Sequence, residues 1–172
     1  GIDRINLPNG EWEGITDHMS ISQFYRIATA QTVENFIYSG AQDNGTSQYI
    51  KNGKYPDGKW LHRGSADGMD VAIDPKNEQR VIKAIQNGSF SYSLNGGTNF
   101  SSAINKNHTK EDASWVAPVA IDPENTDIVY IGHVNLYRSK DFAKKNSFQK
   151  ISLGISSNSP PLTNITIAPS NT

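Results

Sequence analysis

The stretch VAIDPKN at 71–77 returns almost unchanged as VAIDPEN at 119–125. A weaker form, TIAPSNT, stands at 166–172. Matching isoleucines in the three copies are 48 and then 46 residues apart. Self-similarity at a fixed period of this length predicts an architecture assembled from repeated structural units.

Behind each full copy stands the same order of short apolar segments. RVIKAIQ (80–86) and SFSYSLN (89–95) follow the first copy, and DIVYIGH (127–133) and LYRSKD (136–141) follow the second. These segments are rich in β-branched and aromatic residues, and several alternate with period two, as strands do. Asn-Gly and Asp-Gly dipeptides between the apolar segments supply positive φ and indicate hairpin turns. Each unit is therefore predicted to hold four antiparallel strands.

We predict an all-β fold, a β-propeller built of four-stranded antiparallel blades. A β-sandwich would also be rich in strands, but it does not require a repeat of this length. About three blades and two partial ones fit the chain, too few to close a ring of four to eight, so we expect a segment of a larger ring or pairing with other chains. The predicted parts are the end of a preceding blade with Trp12 as its buried aromatic (1–21), a blade without a recognisable turn motif (22–64), two further blades (65–105 and 106–152), and a linker with the first strand of the next blade (153–172).

Two turn sequences carry a family resemblance. SLNGGTNF at 93–100 resembles the Asp-box, or BNR, motif, with Asn95 where Asp is usual. SKDFAKKNSF at 139–148 is a degenerate copy that keeps Ser139 and Asp141 but lacks the glycine. With the DPxN turns, this set resembles the sialidase-like superfamily of propellers, which includes sialidases, xyloglucan-cleaving glycoside hydrolases and sortilin-type receptors.

A narrower resemblance rests on ITDHMSISQFYRIA, SGAQDNGT and ADGMDVAIDP. These segments are similar to a class of large secreted or cell-surface propeller proteins of Bacteroidetes. The resemblance implies a secreted or cell-surface location.

The turn motifs themselves are expected to be structural. In an Asp-box-like hairpin the side chains of Ser93 and Asn95 bond turn amides, Gly97 takes the left-handed conformation, and Phe100 packs between blades. In the DPxN turns the proline presets φ while Asp and Asn cap the turn.

Composition excludes several other classes of function. The formal net charge is −1, whereas binding to nucleic acid or anionic membranes requires clustered Lys and Arg. No apolar run is long enough for membrane insertion. The absence of cysteine excludes thiol catalysis, disulfide scaffolds and zinc fingers, and the four histidines share no ligand spacing, so we expect neither metal nor cofactor.

Strand polarity predicts where a ligand binds. Turns after the first and third strands of each blade share one face, and the loops after the second and fourth strands share the other, here called the upper face. The upper-face loops are irregular and polar and include a tryptophan, a combination that suits a hydroxyl-rich ligand such as a glycan. The candidate ligand-binding residues are Gln42, Asp43, Asn44, Asp67, Gln86, Asn87, Trp115, His133 and Asn135.

Three functions are compatible with this pattern. The first is a non-enzymatic extracellular binding or adhesion module that recognises a glycan or a surface protein. The second is part of a glycoside hydrolase of the xyloglucan-cleaving type, which requires two facing carboxylates, here Asp43 and Asp67. The third is a structural segment whose ligand site lies on other blades. A sialidase is disfavoured because the five arginines form no evident cluster for a substrate carboxylate.

Overall fold

A computed structural model of the chain describes residues 3–14, 22–152 and 158–168. Regular structure in these ranges is β apart from one short helix. The elements are β1 (Asp3–Asn6), β2 (Glu11–Gly14), β3 (Phe24–Thr29), β4 (Phe36–Ala41), β5 (Gly45–Asn52), β6 (Tyr55–Gly64), β7 (Gly68–Asp74), β8 (Asn77–Ile85), β9 (Ser89–Ser93), β10 (Ser101–Ile104), α1 (Lys106–Thr109), β11 (Val119–Ile121), β12 (Val129–Gly132), β13 (Leu136–Ser139) and β14 (Gln149–Lys150).

The strands form three four-stranded antiparallel meanders and one hairpin. The first sheet has the order β3-β4-β5-β6, the second β7-β8-β9-β10, and the third β11-β12-β13-β14, while β1 pairs with β2. The initial strand of each sheet lies beside that of the next, β3 by β7 and β7 by β11. This arrangement confirms the predicted all-β propeller fold with four-stranded antiparallel blades.

The core lies between successive sheets. Phe36 and Tyr38 of the first sheet pack on Val71 and Val81 of the second. A larger cluster joins the second sheet to the third and includes Ile82, Ala84, Phe90, Val119, Val129 and Ile131. Four consecutive residues of β8, 81–84, are buried because both faces of the middle sheet are covered. The apolar alternation of a half-buried strand is lost there for the same reason.

The turn between β9 and β10 has the hydrogen bonds that its sequence predicts. Ser93 Oγ accepts the amide protons of Asn95 and Gly97 at 3.2 and 2.9 Å, and Asn95 Oδ1 accepts the amide proton of Asn99 at 3.0 Å. Gly97 has φ +81°, and Phe100 packs against the cluster between the first two sheets. The turn chemistry is therefore confirmed, while membership of the Asp-box family stays a prediction.

The degenerate turn after β13 keeps the same backbone without glycine. Ser139 Oγ accepts the amide protons of Asp141 and Ala143, both at 3.0 Å. Phe142 and Ala143 both have positive φ, 41° and 56°. Phe142 is buried, with the guanidinium of Arg80 lying 3.9 Å above its ring. Packing from the second sheet thus holds a left-handed pair that glycine would adopt more readily.

The two DPxN turns are capped as predicted. Asp74 accepts the amide proton of Lys76 at 2.8 Å, and Asp122 accepts the amide protons of Glu124 and Asn125 at 2.9 and 3.1 Å. Arg80 joins the two turns, because it forms ion pairs with Asp74 in its own sheet and with Asp127 beside the second turn.

The two ends of the described chain differ from expectation. Trp12 was predicted to be buried, but it is 71% exposed, and the hairpin that carries it has two strands rather than one. Residues 163–168 form no strand, and the rest of the strand predicted near the C-terminus lies outside the described residues.

Candidate functional site

The upper face gathers loops from all three sheets. Its residues are 42–44, 65–67, 86–88, 105–118 and 133–135. Backbones meet closely here: a Cβ built on Gly68 would lie 2.0 Å from the carbonyl oxygen of Gly45, so only glycine fits. That contact fixes the loop before β7 against the turn before β5.

Asp43, Asp67 and Gln86 form a chain of hydrogen bonds across this face. The amide of Asp43 donates to Asp67 Oδ1 at 2.7 Å, and the amide of Asp67 donates to Gln86 Oε1 at 3.2 Å. The two bonds connect the β4–β5 turn of the first sheet, the inter-sheet loop and the β8–β9 turn of the second sheet. The carboxylate of Asp67 is half-buried and holds backbone, whereas Asp43 and its neighbour Asn44 are exposed.

A second chain of bonds reaches from the third sheet to the first. The indole N–H of Trp115 donates to the hydroxyl oxygen of Tyr25 at 3.2 Å, and that hydroxyl donates to Gln42 Oε1 at 3.2 Å. Trp115 is 48% exposed even though its nitrogen is bound. Asn44 Nδ2 also donates to the main-chain oxygen of Gln42, at 3.0 Å. The exposed indole is therefore tied by hydrogen bonds to the predicted amide and carboxylate loop.

Two predicted ligand-binding residues lie beneath this surface. His133 is fully buried, its ring stacked 6.0 Å from Phe90 and edge-on 5.8 Å from Tyr137. Its Nε2–H donates to the carbonyl of Gly88 at 2.9 Å, so Nδ1 accepts the hydroxyl proton of Thr109 at 2.8 Å. Burial lowers the pKa of His133. The histidine therefore joins two upper-face loops and presents no ring nitrogen to a ligand.

Asn135 has a similar internal role. Its amide N–H and Nδ2 donate to the two carboxylate oxygens of Glu111 at 3.0 and 2.9 Å, and its Oδ1 accepts from Ser152 Oγ at 2.6 Å. Burial acts to raise the pKa of Glu111, but hydrogen bonds from Asn135, Tyr137 and Lys150 outweigh it and the pKa is lowered. Glu111 thus anchors the long loop before the third sheet.

Sequence reasoning missed two polar groups near the initial strands. Tyr25 was assigned only to a strand, because its contact with Trp115, 90 residues away, has no local signal. Asp70 of β7 accepts the amide protons of Val71 and Val119 at 3.0 and 3.1 Å and so joins the second sheet to the edge of the third. Burial raises the pKa of this carboxyl, and the two amide bonds oppose the shift. In the sequence Asp70 follows the Asp67-Gly68 turn and opens the apolar segment 71–73, so no local pattern indicates its bond to Val119.

The described residues give little support to metal binding. Within 3–14, 22–152 and 158–168, no three side chains of His, Asp or Glu come together as metal ligands would. The helix α1, which is the one helix among the described residues, has four residues and is too short to span a bilayer.

No protein-family profile matches the chain, and no curated protein matches it. Solved structures do resemble it. A GH74 xyloglucanase from Xanthomonas campestris matches over 76% of this chain with 13% identity and a TM-score of 0.54. A GH74 enzyme from Niastella koreensis matches over 82% of it with 16% identity and a TM-score of 0.57. At these identities the likeness shows the fold alone.

The two solved proteins are much longer than this chain. The matched part covers 22% of the Xanthomonas protein and 25% of the Niastella protein. The chain therefore spans about a quarter of their length and has the fold of a propeller segment with three four-stranded sheets.

Proposed function

We propose that the upper face binds a glycan without cleaving it, as part of a binding or adhesion module of a secreted or cell-surface protein. The observation that carries this proposal is Trp115, half-exposed while its indole nitrogen is held by Tyr25. A ring fixed in this way offers an apolar surface for stacking at little loss of conformational entropy. Sugar C–H faces stack on such rings.

The surroundings of Trp115 suit hydroxyl groups. Tyr25 and Gln42 tie the indole to the turn that carries Asp43 and Asn44, whose side chains are exposed. The exposed Asn87 stands in the neighbouring turn of the second sheet. The side-chain amides of Asn44 and Asn87 can donate to and accept from sugar hydroxyls, and the carboxylate of Asp43 can accept from them. Such hydrogen bonds fix the orientation of a ligand that stacks on the indole.

The contacts of Asp67 favour binding over cleavage. Glycoside hydrolysis uses two carboxylates that face the scissile bond. Asp67 Oδ1 instead accepts the backbone amide proton of Asp43 at 2.7 Å, so this carboxylate stabilises the turn between β4 and β5. The alternative function is part of a glycoside hydrolase that acts through Asp43 and Asp67. It is kept because the solved structures that resemble this fold are described as a xyloglucanase and a GH74 enzyme.

A polysaccharide panel that includes xyloglucan tests the proposal. The chain is run through gels containing each polysaccharide, and retardation measures affinity. We expect retardation by at least one glycan, and at least a tenfold loss of affinity in Trp115→Ala. Trp60→Ala is the matched control, since Trp60 is also 48% exposed but lies on the side of the first sheet, away from the upper face. Equal affinity in both variants and the wild type would overturn the proposed site.

Release of reducing ends from the same polysaccharides separates binding from hydrolysis. Under our proposal the wild-type chain releases none. Under the alternative it does, and Asp43→Asn or Asp67→Asn abolishes release while affinity is kept. If no glycan binds but a surface protein does so in a Trp115-dependent manner, the ligand is a protein.

A further inference from the structure

We infer that a cavity between the second and third sheets binds a small carboxylate with an apolar ring. The cavity has a volume of about 320 Å³, which is enough for one small ring compound. It lies beside β10 and β13 and the segments that follow them, where Ile104, His108 and Phe148 border it. The residues that line it are distinct from those of the proposed glycan site around Trp115.

The short last strand of the third sheet leaves this part of the sheet interface open. β14 has two residues, and it pairs with Tyr137 and Arg138 of β13. The last strand of the first sheet, β6, has ten residues. Because β14 begins only at Gln149, Asn146 and Phe148 lie outside the sheet and border the cavity instead of extending the strand.

The walls of the cavity are apolar. Ala103 and Ile104 of β10, both buried, form the side of the second sheet, and the rings of Tyr137 and Phe148 form the side of the third. The hydroxyl of Tyr137 donates to Glu111, so this residue offers its ring to a ligand. Another ring packs well against such rings. A sugar would lose the hydrogen bonds of its hydroxyls to water without replacement here, so an apolar ring fits better.

Two polar side chains of the cavity are available to a ligand. Asn105 Oδ1 accepts a backbone amide proton at 3.0 Å and is an acceptor only, so His108 Nδ1 donates to it at 2.9 Å and Nε2 is left over. Asn146 makes no side-chain hydrogen bond within the described part of the chain. The hydroxyl of Thr109, by contrast, is bound to His133 at 2.8 Å. A carboxylate can accept from Asn146 Nδ2 and from Nε2 of the protonated His108.

Charge around these two side chains favours an anion. Lys106 and Lys110 each stand two residues from His108, and Lys145 adjoins Asn146. All three lysines are exposed, and among the described residues none of them forms an ion pair. Unpaired ammonium groups attract an anion, more strongly at low salt. We therefore expect the carboxylate to lie by the polar groups and the ring to lie between the apolar walls.

Titration with benzoate tests this inference. Benzoate is added to the isotope-labelled chain at low ionic strength, and NMR follows the backbone amide signals. We expect the signals of residues 103–109 and 146–148 to shift, with a Kd of about 1 mM. Benzamide has the same ring but no charge, and it should bind about tenfold more weakly, because charge-assisted hydrogen bonds are stronger than neutral ones.

Two histidine variants locate the ligand. His108→Ala removes Nε2 and should weaken benzoate binding about tenfold. His62→Ala is the matched control, since His62 is also exposed but lies in β6 of the first sheet. This variant should bind benzoate with the affinity of the wild type.

Two alanine variants test the cavity itself. Ala103→Leu fills part of the cavity, so benzoate binding should be lost while the unfolding free energy in urea stays at or above that of the wild type. Ala84 is buried in the same core cluster but does not border the cavity. Ala84→Leu should therefore overpack the core and lower the unfolding free energy.

Four results would overturn the inference. Benzoate that shifts no amide signal would remove the ligand, and benzamide that binds as tightly as benzoate would remove the role of charge. Equal affinity in His108→Ala and His62→Ala would place the ligand elsewhere. A loss of stability in Ala103→Leu as large as that in Ala84→Leu would show that position 103 borders no cavity. None of these results bears on glycan binding by Trp115.

Discussion

The two faces of the molecule are built on different principles. On the lower face, the turns after the first and third strands are closed by their own side chains, as in Ser93 with its two turn amides or Asp74 with Lys76. On the upper face, loops bond to other loops, as in Asp43 with Asp67, and leave Trp115 exposed. The repeated sequence lies on the lower face and the irregular sequence on the upper one. Scaffold and site are therefore separable by mutation.

The largest expected loss of stability comes from Gly97→Ala on the lower face. A Cβ there would lie 1.6 Å from the hydroxyl of Tyr38, which donates to the carbonyl of Gly96 at 2.9 Å. Overpacking, positive φ and the lost bond together should cost about 4 kcal/mol of unfolding free energy, measured by urea denaturation. The matched change Ala143→Gly should stay within about 1 kcal/mol of the wild type, because glycine suits its φ of 56°.

The second largest loss of unfolding free energy is expected from Ser93→Ala. The variant leaves the amides of Asn95 and Gly97 without their acceptor, at a cost of about 2 kcal/mol. Ser139→Ala should cost about the same, since Ser139 holds two amides in the same way. Urea denaturation checks both variants. A loss at only one position would show that the two turns are not equivalent despite their common backbone.

A smaller loss is expected on the upper face from Asp67→Ala. The half-exposed carboxylate accepts one backbone amide proton, so its removal should lower the unfolding free energy by about 1 kcal/mol. Asp67→Asn keeps an acceptor oxygen and should recover most of the loss. Thermal unfolding of the two variants checks this, and equal losses would contradict the hydrogen-bonding role.

The pH dependence of the unfolding free energy should show that His133 is buried in its neutral form. Because burial lowers its pKa in the folded chain, the unfolded chain binds the proton first as pH falls below the ordinary value for histidine. Stability contributed by the neutral ring is therefore complete above that value and decreases as pH falls towards the folded-state pKa. His133→Gln should be less stable at pH 7, but its stability should change less between pH 7 and 5. An unchanged pH slope would contradict a buried neutral histidine.

Much of the fold could be predicted from the sequence, because the repeat and the turn chemistry are local. The strands around VAIDPKN and VAIDPEN, the caps of Asp74 and Asp122, and the glycines after Asn95 all follow from adjacent residues. The turn at Phe142 was harder to predict, since its left-handed backbone is held without glycine by contacts with the buried cluster and with Arg80 of the second sheet.

The candidate site could be predicted only in outline. Strand polarity indicates which loops share the upper face, but not how deep each side chain lies. The sequence places His133 and Asn135 in a turn, where exposure is expected. Both are buried, because they bond to Thr109 and Glu111 in the loop before the third sheet. The sequence of that loop is charged and predicts a solvated segment. The role of Tyr25 could not be predicted, because in the sequence it stands in the segment of β3 and differs in no way from an ordinary strand residue.

The most direct measurement of glycan binding is a calorimetric titration of a xyloglucan oligosaccharide, or of whichever glycan retards the chain most, into wild type, Trp115→Ala and Trp60→Ala. Because about half of the Trp115 side chain is buried, urea denaturation of Trp115→Ala is measured beside the titration, so that loss of binding is separated from loss of fold. We expect at least a tenfold weaker affinity in Trp115→Ala and wild-type affinity in Trp60→Ala. Wild-type affinity in Trp115→Ala would contradict a ligand site on the upper face.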